Sequence, residues 1–439
     1  MSQELATLLL LLGSLVLLFL GVPIAWALGG TAVCFALGFW GLDRIYMLAT
    51  ASLGSLSNAN LIAVPLFVLM GWILDRSGIA DDLFESMAAW FGSIKGGLAM
   101  ATIVIAAVYG AVSGDLMACI FTMTTIALPP LAKRGYNLRL SIGCIMAGAV
   151  LAEFVPPSTI IIAFCAVTGL SVGRAYLGAF IPSLIMAALY CLYAGILCHF
   201  KPEYGPAAPP ASWREKFIKL KGSIMTILIL LAMLLGIYSG AVTPMEASAL
   251  GCAGAFICAA IKRRLNWKIT WEALLITGRI TTMIGWLFIT IACFTVVGDN
   301  LGMIDVAHRI ALSIPGGGMG AIMMMMATVF VLGCFMDDLA ITLICGPIFM
   351  SVAKKMGFNE VWFGIIFLCN MQTAFLTPPY GFALIVQKAV LPMLKERVSV
   401  PTRDIVLAGV PFIGMLLLTL VLVIVFPQLI TWLPSLVIK

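Results

Sequence analysis

Long apolar runs separated by short polar turns fill the chain from end to end. The runs cover residues 5–21, 24–41, 58–74, 97–112, 139–154, 175–198, 223–240, 245–261, 273–297, 320–335, 361–376 and 405–426. A helix needs about 20 predominantly apolar residues to cross a bilayer, so the pattern predicts an all-α polytopic membrane protein in which some runs are half-spans. Asp75 to Glu85 reads as a surface segment with an amphipathic helix after Gly78. The clearest punctuation is residues 201–222, where GPAAPPASW precedes the basic stretch Arg214 to Lys221, itself a candidate surface helix.

The two sides of that linker repeat one another. Asp115 falls on Asp337, Lys133 on Lys355, Gly135 on Gly357, Asn137 on Asn359 and Pro156-Pro157 on Pro378-Pro379, all 222 positions apart, and Gly78 recurs as Gly302 after 224. The chain therefore divides into a first repeat (1–200), a basic cytoplasmic linker (201–222) and a second repeat (223–439). Matching Gly and Pro interruptions in paired apolar halves are the signature of inverted repeats whose helix breaks meet at a transport site. The breaks place one re-entrant hairpin region at 96–172 and another at 316–392. Within Gly96 to Ala132 the candidate breaks are Gly110, Gly114 and Pro129-Pro130. Proline cannot continue a helix ladder, so a double proline at membrane depth strands carbonyls that require a ligand.

Composition sharpens this picture. The chain is 62% hydrophobic and 10% charged, with mean hydropathy +1.14, beyond the roughly 45–50% apolar share of soluble domains. The net charge of +6 does not point to nucleic acid, because the basic residues cluster in Arg214 to Lys221 and Lys262 to Lys268. Both clusters flank one two-helix hairpin, and the positive-inside rule makes that side cytoplasmic. The 12 cysteines lack metal or redox spacing and read as small buried hydrophobes. With two histidines and no nucleophile or phosphate-loop constellation, the sequence argues against an enzyme, and no cofactor is expected.

Ionisable residues inside the apolar runs are few: Asp115, Glu153, Glu246, Arg279, Asp337 and Asp338. Each costs about 2.5–3.5 kcal/mol at the bilayer centre on insertion scales, so each is a functional hypothesis. Against it stands the plainer reading, a carboxylate at an interface in water. Asp115 and Asp337 are equivalents in the repeat and follow glycine-containing breaks, and carboxylates beside freed carbonyls suit Na⁺ or H⁺. Glu246 follows the turn Thr243-Pro244, and Arg279 lies close enough to Trp271 to snorkel to the interface.

Several stretches then resemble, in order, the motif series of the large membrane subunit (DctM-like) of TRAP transporters: AVPLFVLMGWILDRSGIADDL, the Ser113-Gly114 break, LAKRGYN, VPPSTIII, TPMEA, and FMDD leading to FLTPPYGFAL. The resemblance covers almost the whole chain. It implies an elevator-type secondary transporter of the bacterial inner membrane. Such a protein imports an organic anion, a carboxylate, on a Na⁺ gradient, with a periplasmic substrate-binding protein and a small four-helix membrane subunit as partners. It also implies cation-binding positions at Ser113, Gly114, Pro156 and Ser158 in one half, and at Gly333, Asp337, Thr377 and Pro378 in the other. Asp115 joins them on the reading of its charge. Asp115 and Glu153 depart from the family pattern, and two added acids leave H⁺ open as the coupling ion. A stand-alone Na⁺- or H⁺-coupled anion symporter, needing no binding protein, is the alternative.

Overall fold

The computed structural model describes residues 3–394 and 400–437. Among these all regular structure is helical. The first half runs α1 (Gln3–Phe19), α2 (Ile24–Trp40), α3 (Tyr46–Leu56), α4 (Ala59–Arg76), α5 (Ile79–Phe91), α6 (Gly97–Ser113), α7 (Leu116–Lys133), α8 (Leu138–Phe154), α9 (Thr159–Thr168) and α10 (Val172–Phe200). The second half runs α11 (Trp213–Tyr238), α12 (Pro244–Ile261), α13 (Trp267–Asn300), α14 (Met303–Leu312), α15 (Gly317–Gly333), α16 (Asp338–Lys355), α17 (Glu360–Leu376), α18 (Phe382–Val390), α19 (Thr402–Val425) and α20 (Gln428–Val437). Seven of the described helices are long and apolar enough to cross a membrane, and three bent pairs raise the number to as many as ten.

Helix ends are set by the polar residues between the apolar runs, and they repeat. Asn137 and Asn359 cap α8 and α17, their side-chain oxygens accepting from Leu140 and Trp362 amides. A side-chain acceptor here satisfies one of the orphan amides of the first turn. Contacts between the halves are reciprocal: α2 packs on α13 as α12 packs on α4, α5 on α11 as α14 on α1, and α9 on α16 as α18 on α7. Such pairing is what a two-fold relation between halves produces.

The centre belongs to α8 and α17. From Val361 to Leu376 every residue of α17 is buried, the polar Asn370, Gln372 and Thr373 among them, as befits a helix enclosed on all sides. Small residues bring the hairpin arms close: a Cβ on Gly110 of α6 would sit 2.1 Å from Ala152 Cβ on α8, and one on Gly333 of α15 would sit 2.6 Å from Ala374 Cβ on α17. Ala152 and Ala374 are equivalents in the repeat.

Several boundaries differ from the sequence expectation. Gly110 interrupts nothing, because its missing side chain serves close packing inside α6. Pro129 and Pro130 lie within α7, close to its C-terminus, and the helix runs on to Lys133 despite the two ladder amides they lack. Gly333 is likewise helical, and the second break falls after it, at Cys334 to Met336. The linker is irregular or short 3-10 structure only up to Ser212, since α11 begins at Trp213 and carries the basic residues into a membrane-length helix. No separate surface helix forms there.

Candidate functional site

At the first break, Gly114 adopts φ +65, a left-handed turn that glycine takes without a Cβ penalty. Its amide closes on Gly110 O at 2.7 Å. Asp115 is extended and caps α7, Oδ1 accepting from the Ala118 amide at 3.0 Å. Thr159 Oγ1, just beyond the proline pair, donates to Gly114 O at 3.0 Å and so ties the tip to the start of α9. Both proline pairs, Pro156-Pro157 and Pro378-Pro379, are cis.

Those prolines strand carbonyls, and the chain itself satisfies that of Glu153, four residues before Pro157. Ser158 Oγ donates to Glu153 O, accepts from the Ile161 amide, and so caps α9. Tyr176 OH donates to Ser158 O at 3.1 Å. In the second half Thr377 Oγ1 turns back to Thr373 O at 2.7 Å. Asp337 caps α16 as Asp115 caps α7, Oδ1 accepting from the Ala340 amide at 2.6 Å. Asp338 Oδ1 accepts from the Leu339 amide at 2.8 Å.

The two tips face one cavity of 660 Å³. Ser113, Gly114, Asp115 and Asp337 line it, joined by Glu153 and Asp338. Pro156, Ser158, Gly333, Thr377 and Pro378 are not among its walls; they shape the breaks behind it or, for Gly333, seat α15 on α17. Glu153 Oε2 is shut off from solvent with no hydrogen-bond partner. Among the described residues no three His, Cys, Asp or Glu side chains converge as a metal-ligand group. Glu246 belongs to a capping box with Thr243, a structural role at the start of α12, and Arg279 is exposed on α13 and is not among the walls of the cavity.

Sequence reasoning missed the third wall. Asp75, expected at the surface, lines the cavity and accepts a hydrogen bond from the buried Tyr109 OH at 2.5 Å. Tyr109 OH also lies 3.1 Å from Thr122 Oγ1. Gly71 explains the proximity: a Cβ there would sit 2.6 Å from Val112 O, so α4 runs against the end of α6. The available signal was Asp75 at the very end of an apolar run. The next residue, Arg76, also lines the cavity.

The known proteins that the chain resembles are membrane transporters. The YdaH transporter of Alcanivorax borkumensis, solved as a crystal structure with an unusual topology, superimposes with TM-score 0.63 over 97% of this chain and 99% of that one at 14% identity, a likeness of fold. The C4-dicarboxylate TRAP transporter large permease protein DctM of Pseudomonas aeruginosa is 29% identical over 397 residues, 90% of each chain. The ectoine TRAP transporter large permease protein TeaC of Halomonas elongata is 28% identical over 94% of this chain and 95% of its own. The sialic acid TRAP transporter permease protein SiaT of Haemophilus influenzae is 28% identical over 97% of this chain and 67% of its own. The family profile described as tripartite ATP-independent periplasmic transporter, DctM component, matches residues 11–429. The chain belongs to that family of multi-pass membrane permeases, as a TRAP transporter large permease subunit.

Proposed function

We propose that this permease imports an organic acid, bound through its carboxylate, by symport with Na⁺, and that it does so in an assembly with a small four-helix membrane subunit and a periplasmic binding protein. One observation carries the reading: Asp115 and Asp337, 222 positions apart, cap the second arms of two hairpins whose tips line the same cavity. Capping uses Oδ1 of each and aims a carboxylate at the cavity. A hard cation favours oxygen ligands; since these carboxylates do not form a closed ligand group, backbone carbonyls and hydroxyls of the tips complete the coordination. The enclosed Glu153 Oε2 is a further acceptor without a partner. Transport then follows from the hairpins and broken helices moving together against the remaining helices, which exposes the cavity to each side in turn.

The named relatives handle C4-dicarboxylates, sialic acid and ectoine. All of these bear a carboxylate, so the three compounds are the natural probes. Proteoliposomes holding the complete assembly should accumulate one of them when Na⁺ is imposed outside, and liposomes holding this chain alone should accumulate little. Robust uptake by the chain alone would favour the stand-alone symporter. Uptake indifferent to Na⁺ but driven by a proton gradient would reassign the coupling ion.

A further inference from the structure

The cavity's charges are lopsided. Its walls include the carboxyl groups of Asp75, Asp115, Glu153, Asp337 and Asp338, and among the described residues one basic side chain, Arg76. A carboxylate entering such a space meets repulsion from nearly every charged wall, and in a partly desolvated cavity that repulsion is screened far less than in water. The positive ends of α7 and α16, which elsewhere receive anions, are already occupied by the Asp115 and Asp337 side chains. We propose that Arg76 is the anion-binding residue of the cavity: its guanidinium receives the carboxylate of the transported acid, and the carboxylates of the tips are left to the coupling cations. The proposal deepens the carboxylate reading above and rests on it.

The local structure suits that task. Arg76 is the last residue of α4, with its side chain half-exposed. Its guanidinium carbon stands 5.5 Å from the centre of the Trp72 ring, which also lines the cavity. Cation–π attraction to the indole holds the guanidinium beside the cavity, and its planar fork is the group that takes a carboxylate by two parallel hydrogen bonds. Its neighbour Asp75 has Oδ1 engaged by Tyr109 OH. The carboxylate of Glu272 is 3.9 Å from Nη2, the outer edge of an ion pair, so most of the five donors remain for a ligand. A volume of 660 Å³ accommodates a small organic acid. Because one guanidinium faces several carboxylates, anion binding should strengthen as cations fill the tips, a direct electrostatic source of coupling.

The test is equilibrium binding of the three carboxylate probes to the complete assembly in nanodiscs at saturating Na⁺, with Na⁺-driven uptake measured alongside. Arg76→Gln should weaken binding of the accepted probe at least ten-fold, and Arg76→Lys, which keeps the charge but loses the fork, by three- to ten-fold. At a saturating concentration of the probe neither should raise the Na⁺ concentration for half-maximal uptake by more than two-fold, because the cation-binding carboxylates of the tips are intact and no positive charge is added beside them. Glu272→Gln separates the roles: if Arg76 serves only its ion pair, Glu272→Gln reproduces the loss, whereas an anion-binding Arg76 leaves probe affinity intact in Glu272→Gln. Unchanged affinity in Arg76→Gln overturns the proposal; should that variant not fold, unchanged affinity in Arg76→Lys does so. A wild-type assembly that takes none of the probes overturns the carboxylate reading itself, a different result from one that binds and transports regardless of Arg76.

Discussion

The two hairpin tips share their helix ends and differ in what holds them. Each second arm starts with an aspartate whose Oδ1 accepts from the amide three residues on, and each first arm packs a glycine on the equivalent alanine. The first tip is tied to its broken helix by Thr159 Oγ1 donating to Gly114 O, a bond without a counterpart at the second tip among the described residues. The equivalents of Thr159 and Gly114 in the repeat are Gly381, which has no hydroxyl, and Met336, which is not left-handed. In the second half the nearby hydroxyl, that of Thr377, bonds within its own helix. Duplication has kept the groups that terminate helices and released this group that links elements.

The sharpest way to break the comparison is its sidedness. Inverted repeats put equivalent positions on opposite faces of the membrane. With exposed Cys34 replaced, Lys133→Cys and Lys355→Cys should react with an impermeant thiol reagent from opposite sides, an all-or-none difference. Labelling from the same side would refute inversion.

Charge removal at the tips comes next in size. Asp337→Asn and Asp115→Asn retain a good helix cap and lose the charge, so helix capping and cation binding separate. Losing a charged hydrogen-bonding partner is worth about 1–3 kcal/mol, or roughly five- to hundred-fold in the Na⁺ concentration for half-maximal uptake. Asp337→Asn should have the larger effect, because the family resemblance supports that position and Asp115 departs from it. Measuring at two pH values reveals any H⁺ coupling.

Packing contacts should respond alike in both halves. Gly110→Ala and Gly333→Ala push a methyl against Ala152 and Ala374, an overpacking expected to cost about 1–3 kcal/mol and visible as a lower thermal midpoint. Gly357→Ala meets no atom within 4 Å but keeps φ +80, so its cost is the backbone penalty alone, about 1–2 kcal/mol. The smallest effect separates the tips. Thr159→Val removes the tie to Gly114 and should destabilise by about 1 kcal/mol. Thr377→Val removes a bond inside one helix and should cost less; equal losses would erase the distinction between tied and free tips.

Much of this was legible in the sequence, because duplication acts on residues with local physical roles. Aspartate and asparagine caps, a left-handed glycine and proline pairs leave the same mark in one dimension as in three. What stayed hidden depended on packing between distant elements. Asp75 ends an apolar run and looks like a surface residue; only the approach of Gly71 to α6 brings it to Tyr109. Glycines 110 and 333 read as breaks, since sequence alone does not distinguish a glycine that frees the backbone from one that admits a neighbouring helix. The stranded carbonyls were anticipated, but not the capture of Glu153 O by Ser158 and of Gly114 O by Thr159, which depends on side-chain direction.

The central claim is that the two tips act on the same bound cations. A double-mutant cycle on Asp115→Asn and Asp337→Asn, read as the Na⁺ concentration for half-maximal uptake by the complete assembly, tests it most directly. Tips that share one cation-binding region make the double variant differ from the sum of the singles by more than about 0.5 kcal/mol, the range within which independent sites add. Strict additivity, or no change of Na⁺ dependence in any of the three variants, would contradict the claim.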